Sequence, residues 1–446
     1  MLIMSWDHSR DFLSAHKVAS HGSERWSGPL STYDNNAAVF FQRWISHFCA
    51  PGFFFTMGIG MYFMARSRLE KYKWTQGAVI QHFFIRGFLL LVVGRLVDMA
   101  IIPELVIIAA HNQTLFPTNP KHHSSSPFHG PEWLAPFLGI FEVMTALGLT
   151  MIIVGALVPT LISIERRYTS FVAQGLALLL GIASVGASTF YILQAQGGDP
   201  CGAVCRNSSA IVIFPRFSAS ANTMNEIFLR FFLYPGAFAY GNIIYPLVPW
   251  CSVTFVGYAA GVLFKKDARV AYKWTGIFGV LFLLLFLLLR FFGGAEGGNF
   301  RGWPRDGEGS LVPWIAFLTV CKYPPSLSYL LLTLGGNWCL LSLIEKIVRP
   351  SLSGGSSVAS NSSCTQCGIM LERVLLVFGQ VPLFFYTIHF WCLGCLGFFV
   401  RMVTPGLAIE YVVLPWIVMV GCLYFPCVWW REKKRNASPE SWVKML

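Results

Sequence analysis

Charge is scarce in this chain. Aspartate, glutamate, lysine and arginine supply 12% of its 446 residues, against about 25% in an ordinary soluble domain, which excludes a water-facing globular surface. Alternation of apolar and polar residues is missing as well. Leu281 to Leu289 is apolar at every position, which argues against a membrane barrel, whose strands alternate over about ten residues. No internal repeat relates the two halves, and no secretory signal pattern opens the chain. Twelve cysteines are present, but most lie inside apolar runs, where a thiol behaves as a small apolar side chain. A disulfide framework is therefore excluded.

What the chain has in quantity is hydrophobic length. Apolar residues make up 55% of it, and a bilayer core about 30 Å thick is crossed by about 20 apolar helical residues. Runs of that length fall near 44–65, 79–101, 134–158, 168–193, 247–264, 273–292, 322–344, 373–399 and 407–429. The expected fold class is all-α, a polytopic transmembrane helix bundle in contact with the lipid bilayer. One domain, 1–430, is expected, followed by a basic tail, 431–446. Only Met1 to Trp6 precede Asp7, about 10 Å of helix at 1.5 Å per residue. The first segment therefore reads as a truncated helix, with a genuine half-helix as the alternative.

The net charge of +12 does not signal nucleic acid, because the basic residues fall in alternate short connections. Arg66, Arg68, Lys71 and Lys73 occupy one, and Arg166 with Arg167, Lys265 with Lys266, Lys346 with Arg349, and Arg431 to Arg435 occupy the others. Positive residues favour the cytosolic side. The C-terminus and the Ser/Gly-rich loop 347–372 are then cytosolic, and the connections near 10–43, 104–133, 194–246 and 293–311 extracytosolic. In the outer loops, Cys201 and Cys205 are placed to pair beside the sequon at Asn207, and Asn112 heads a second sequon, which fits a secretory-pathway membrane. Cys364 and Cys367 lack the second ligand pair of a zinc site. No metal is expected. The organelle and homo-oligomerisation are left open.

Ionisable groups within a membrane are costly and usually face a cavity or a functional site. Asp7, His8, Arg43 and His47 lie at the outer edge, with Arg43 and His47 spaced i, i+4 on one helix face. Glu142 is expected about two turns inside its span, Asp98 near an outer helix end, and Tyr386 and His389 in the outer half of theirs. One outward pocket would collect them. A second, cationic set reads as cytosolic: Arg86, and Lys322 at the head of Lys322-Tyr323-Pro324-Pro325, where the paired prolines break a helix and expose backbone groups that protein or a water-filled cavity must satisfy. Plainer readings stand beside these. Arg43 snorkels to the headgroups, Arg95 and Asp98 simply pair at i, i+3, His389 bonds a neighbouring helix, His82 is interfacial, and His122, His123 and His129 belong to a solvated Ser/Pro loop.

The runs Asp7-His8-Ser9-Arg10-Asp11-Phe12 and Arg43-Trp44-Ile45-Ser46-His47-Phe48-Cys49-Ala50-Pro51 resemble the opening motifs of the heparan-α-glucosaminide N-acetyltransferase catalytic-domain family. Three later runs agree in order: Tyr245 to Trp250 with Gly257-Tyr258, Lys322 to Leu327, and Val381 to Tyr386 before His389. The similarity spans nearly the whole chain and is greatest to a branch distinct from the lysosomal glycosaminoglycan enzyme. It implies transfer of an acetyl group from cytosolic acetyl-CoA to an amine or hydroxyl of a sugar-type acceptor across the membrane. Arg86, Lys322, Arg66 and Arg68 would hold the cofactor, and Arg43, Glu142 and Tyr386 the acceptor. His8, oriented by Asp7, would act as general base, with His47 and His389 stabilising the oxyanion. The histidine-bearing first outer loop of the lysosomal members does not align, and His8, His16 and His21 compete for its place. Two other classes fit the same features: a proton-coupled carrier of a small anion, and a catalytically inactive scaffold.

Overall fold

The computed structural model describes residues 1–14, 24, 36–101, 140–196, 224–238, 241–292, 313–353, 374–404, 406–438, 441 and 443. His16, His21, Asn112, His122, His123, His129, Cys201, Cys205, Asn207, Cys364 and Cys367 fall outside them. In chain order the helices are α1 (Leu2–Leu13), α2 (Ala37–Ser46), α3 (Cys49–Glu70), α4 (Gln76–Asp98), α5 (Val143–Arg167), α6 (Ser170–Gln196), α7 (Met224–Phe232), α8 (Leu247–Lys266) and α9 (Ala268–Phe292). They continue with α10 (Pro313–Leu318), α11 (Leu327–Ser353), α12 (Pro382–Val403) and α13 (Val413–Asn436). Among the described residues nine helical stretches are long and apolar enough to cross a bilayer. The protein is an all-α, polytopic membrane protein, as its hydropathy predicts.

The largest displacement from the sequence reading is in the third run. Its helix is α5, Val143–Arg167, and it continues through Pro159; the Ser163 hydroxyl turns back to donate to the Pro159 carbonyl at 2.9 Å. Glu142 is consequently the residue before the helix, not two turns inside it. Just ahead, Ile140–Phe141 (β1) pairs in parallel with Gly241–Ile243 (β3), which pairs antiparallel with Gly236–Phe238 (β2). The apolar character of that stretch serves a small sheet, which hydropathy alone cannot distinguish from helix. The first run also begins earlier, at Ala37. Asn36 caps it by accepting from the Ala38 and Val39 amides at 2.8 and 3.4 Å, a usual N-cap role.

The sequence reads as one domain over 1–430, whereas contacts divide the chain into two compact units. One comprises Val18–Asp98 and Lys121–Asn337, the other Met1–Lys17, Met99–Pro120 and Trp338–Leu446.

In the first of these units α3 and α8 touch backbone to backbone. A Cβ at Gly58 would overlap the Thr254 carbonyl oxygen, and one at Gly257 the Phe55 carbonyl oxygen. Gly257 and Gly261 form a G-x-x-x-G spacing, the pattern that lets helices approach closely where lipid provides no hydrophobic drive. Gly257→Val is expected to destabilise the protein by at least about 1–3 kcal/mol through overpacking, read as a lower unfolding temperature in detergent. Gly60→Ala, at a position with open space, should leave it unchanged.

In the other unit α1 is twelve residues long and is not one of the nine candidate spans. Its C-terminal carbonyls, which a helix leaves unsatisfied, are taken up by tertiary partners: the Leu407 amide donates to Leu13 at 2.7 Å, and Arg401 Nη2 lies 3.4 Å from the carbonyls of both Phe12 and Ser14. Trp416 donates to the Ser5 hydroxyl at 3.0 Å, and its ring meets Trp6 edge-on. A helix too short to hold itself is thereby fixed against α12 and α13.

Candidate active site

The joint between α2 and α3 falls at His47 and Phe48. The His47 carbonyl accepts from Tyr329 Oη, and the Phe48 carbonyl, which also accepts the Gly52 amide at 3.2 Å, from Asn337 Nδ2, both at 2.9 Å. This joint sets His47 beside Glu24, a residue from the connection before α2 that is 1% exposed. Arg43 grips the Glu24 carboxylate with a two-pronged fork, Nε to Oε1 and Nη2 to Oε2, each 2.6 Å. His47 Nε2 lies 2.9 Å from Oε1, tilted off the ideal hydrogen-bond axis. The backbone carbonyl of Glu24 accepts from the amides of Lys322 at 3.0 Å and Tyr323 at 3.1 Å, and from Cys321 Sγ at 3.3 Å. Backbone groups at the proline break are thus satisfied by protein. Burial alone would raise the Glu24 pKa, but the charges of Arg43 and His47 and their hydrogen bonds override it and hold the carboxyl well below its ordinary value.

The identity of the acceptor fixes the proton on His47. A carboxylate oxygen has only lone pairs, so the nitrogen 2.9 Å from it carries hydrogen. In the neutral ring Nδ1 is then the lone-pair nitrogen, an assignment made from the bonding network. Both ring nitrogens are buried and neither makes a well-aligned hydrogen bond among the described residues; Nε2 faces the Glu24 carboxylate. Lys322, 5% exposed, completes this centre, its ammonium 5.2 Å from the Tyr323 ring centre and 5.9 Å from that of Tyr245. Tyr323 Oη donates to Tyr245 Oη at 3.4 Å, and burial pushes the Tyr245 phenol well above its usual pKa, aided by Tyr323.

Lys322 therefore does not belong with Arg86 at the end expected to be cytosolic. The seventh apolar run starts on the same side of the membrane as the first, because an even number of crossings separates the two starts. Arg66 and Arg68 lie at the far end of α3, about 25–29 Å along that helix from its start at Cys49 at 1.5 Å per residue. There Arg66 reaches Glu165 at 2.8 Å, Glu70 at 2.7 Å and the Tyr62 hydroxyl at 3.1 Å, so it tethers α3 to α5. Arg68 stacks over Trp74 and Tyr72, and Arg86 is half-buried on α4. Arg95 pairs with Asp98 at 2.9 Å, the plainer of the readings open to them. His82 is buried, with its ring edge-on to Trp74.

The second unit holds a pair of imidazoles. His8 Nδ1 and His389 Nε2 are 2.9 Å apart, with rings 10° from parallel and centres 5.2 Å apart, an edge-to-edge contact. His389 Nδ1 lies 2.8 Å from the Phe385 carbonyl, which only accepts, so in the neutral pair the hydrogen between the rings belongs to His8. Tyr386 and Phe390 wall the His8 ring. Asp7 does not serve as the orienting acid expected of it. Successive helical residues do not face each other, and the Asp7 carboxylate lies 3.1 Å from Arg10; His389 is what orients His8.

Glu24 has no motif and was not among the expected site residues. The signal that points to it is Arg43: a guanidinium inside an apolar stretch needs an acid, and before Glu70 the chain offers only Asp7, Asp11, Glu24 and Asp34.

Comparison with protein-family models, with curated proteins and with solved structures gives no match. Fold and geometry define the class: a multi-pass helical membrane protein carrying a buried carboxylate–imidazole centre beside a lysine.

Proposed function

We propose that the protein is a membrane acyltransferase that moves an acetyl group from cytosolic acetyl-CoA to an amine or hydroxyl of a sugar-type acceptor on the opposite side, with the C-terminus cytosolic. The observation that carries this reading is the Glu24–His47 pair, with a buried Nδ1 that has no partner among the described residues. Two of the runs that resemble the acetyltransferase family, Arg43 to Pro51 and Lys322 to Leu327, are distant in sequence yet meet at Glu24, and a third, Tyr245 to Trp250, joins them through the Tyr245–Tyr323 ring contact. The other two, around His8 and His389, meet in the imidazole pair.

In this reading His47, rather than His8, is the general base. Nδ1 takes the proton from the acceptor N–H or O–H as that atom attacks the thioester carbonyl. The C–S bond breaks, the C–N or C–O bond forms, and coenzyme A leaves as a thiolate. Glu24 keeps the ring in the tautomer that leaves Nδ1 free to accept, and Arg43 keeps Glu24 ionised and in place. An acid that orients an imidazole in this way is a recurring device for base catalysis. At the Arg66 end, Arg68 and Arg86 supply positive charge for the cofactor phosphates.

The test is reconstitution in proteoliposomes, with labelled acetyl-CoA on the Arg66 side and an amino sugar on the other. Acetyl-CoA-dependent labelling of the sugar is expected. Folded protein that binds no acetyl-CoA, or that moves anions with protons in its absence, overturns the proposal in favour of a carrier.

A further inference from the structure

Counted over the described residues, the Glu24 centre has a surplus of positive charge. Arg43 and the Glu24 carboxylate cancel in their bidentate pair, and His47 opposite that carboxylate is accounted for as a neutral ring. Lys322 remains. It is 5% exposed, and no carboxylate among the described residues lies within ion-pair distance of its ammonium, which has only the Tyr245 and Tyr323 rings against it. Aromatic faces attract a cation but do not neutralise it, and a buried charge is ordinarily paired.

We propose that Lys322 is the seat of a ligand carboxylate, bound at its ammonium against the edge-on pair of tyrosine rings. Three features select that group. One unit of charge is left over, so one negative charge completes the set; a phosphate monoester, carrying about −1.5 to −2, would overshoot it next to Glu24. The polar atoms beside the two rings are donors: the ammonium offers up to three hydrogens, and because Tyr323 donates to Tyr245, the Tyr245 hydroxyl keeps its own hydrogen to give. The walls are two aromatic rings, 5.1 Å between centres, against which a flat group packs with least loss of contact. A transient oxyanion alone would leave the ammonium uncompensated for the rest of the cycle, whereas a carboxylate on the bound ligand compensates it throughout. The inference uses this geometry only and does not require acetyl transfer.

The test is thermal unfolding of the full-length protein in detergent, with no acyl donor present. Benzoate and acetate serve as probes, and benzamide and acetamide as neutral matches. A ligand that binds only the native state raises the unfolding temperature with its concentration. Carboxylates are expected to raise it and amides to leave it unchanged. Lys322→Met should weaken the apparent affinity for benzoate by about tenfold or more, the loss of one charge-assisted hydrogen bond, while Lys322→Arg keeps most of it. Without ligand, Lys322→Met should unfold no earlier than the parent, since it removes an uncompensated charge. Equal shifts from benzoate and benzamide, a benzoate shift retained in Lys322→Met, or inorganic phosphate as the only effective anion would each overturn the proposal. So would failure of Lys322→Met to fold, which would make the ammonium a structural partner instead.

Discussion

Replacing His47 by alanine is expected to lower acetyl transfer by about 10²- to 10⁴-fold, the usual contribution of a positioned general base, while acetyl-CoA binding stays near its parental value. The ring is buried but bonds to the scaffold chiefly through Glu24, which retains both prongs of Arg43 when the imidazole is gone. Folding should therefore survive. Single-turnover rates and equilibrium cofactor binding, measured on the same preparation, separate the two effects. The informative comparison is His8→Ala in parallel: if the rate collapses there and persists in His47→Ala, the base belongs to the imidazole pair and the Glu24 centre is structural.

Glu24→Gln is expected to cost about 3–5 kcal/mol of stability, because removing one member of a buried ion pair leaves the other uncompensated. The glutamine keeps the shape and loses the charge that Arg43 requires. A double variant, Glu24→Gln with Arg43→Met, removes both charges and should recover much of the loss. Acid titration gives an independent check. The folded Glu24 carboxyl sits well below its ordinary value, so its contribution is complete above the unfolded glutamate pKa of about 4.3 and is lost as pH falls from there through the depressed folded value. Unfolding temperatures measured from neutral pH down to about pH 3 should fall more steeply in the parent than in the double variant; parallel curves would show that Glu24 is not the group responsible.

The bundle is legible in the sequence because a bilayer imposes a length and a composition on every crossing segment. That is why Leu247–Lys266 and Ala268–Phe292 lie close to their hydropathy runs, and why α5 does not: Ile140 and Phe141 are apolar for the sake of a strand pair, and Pro159 sits inside the helix. The site is legible only in part. Arg43 and His47 share a helix face by spacing and do converge, and His389 meets His8. Glu24 carries no periodic pattern, lies in a connection, and is closed over by residues nearly 300 positions away. Lys322 resembles the other cations by charge, yet its place follows from the direction in which its run crosses.

The Glu24 carbonyl receives hydrogen from Cys321, 297 residues later in the chain, and from the amides of Lys322 and Tyr323. This has a consequence for biogenesis. During synthesis the first six candidate crossings emerge before the residues that close the centre exist, so the Arg43 guanidinium and the Glu24 carboxyl wait through most of translation without the wall that covers them. Contacts so far apart along the chain form late. A ribosome-stalled intermediate ending before Lys322 should present Glu24 to water-soluble carboxyl reagents, and one extended past Leu327 and beyond the translocon should shield it.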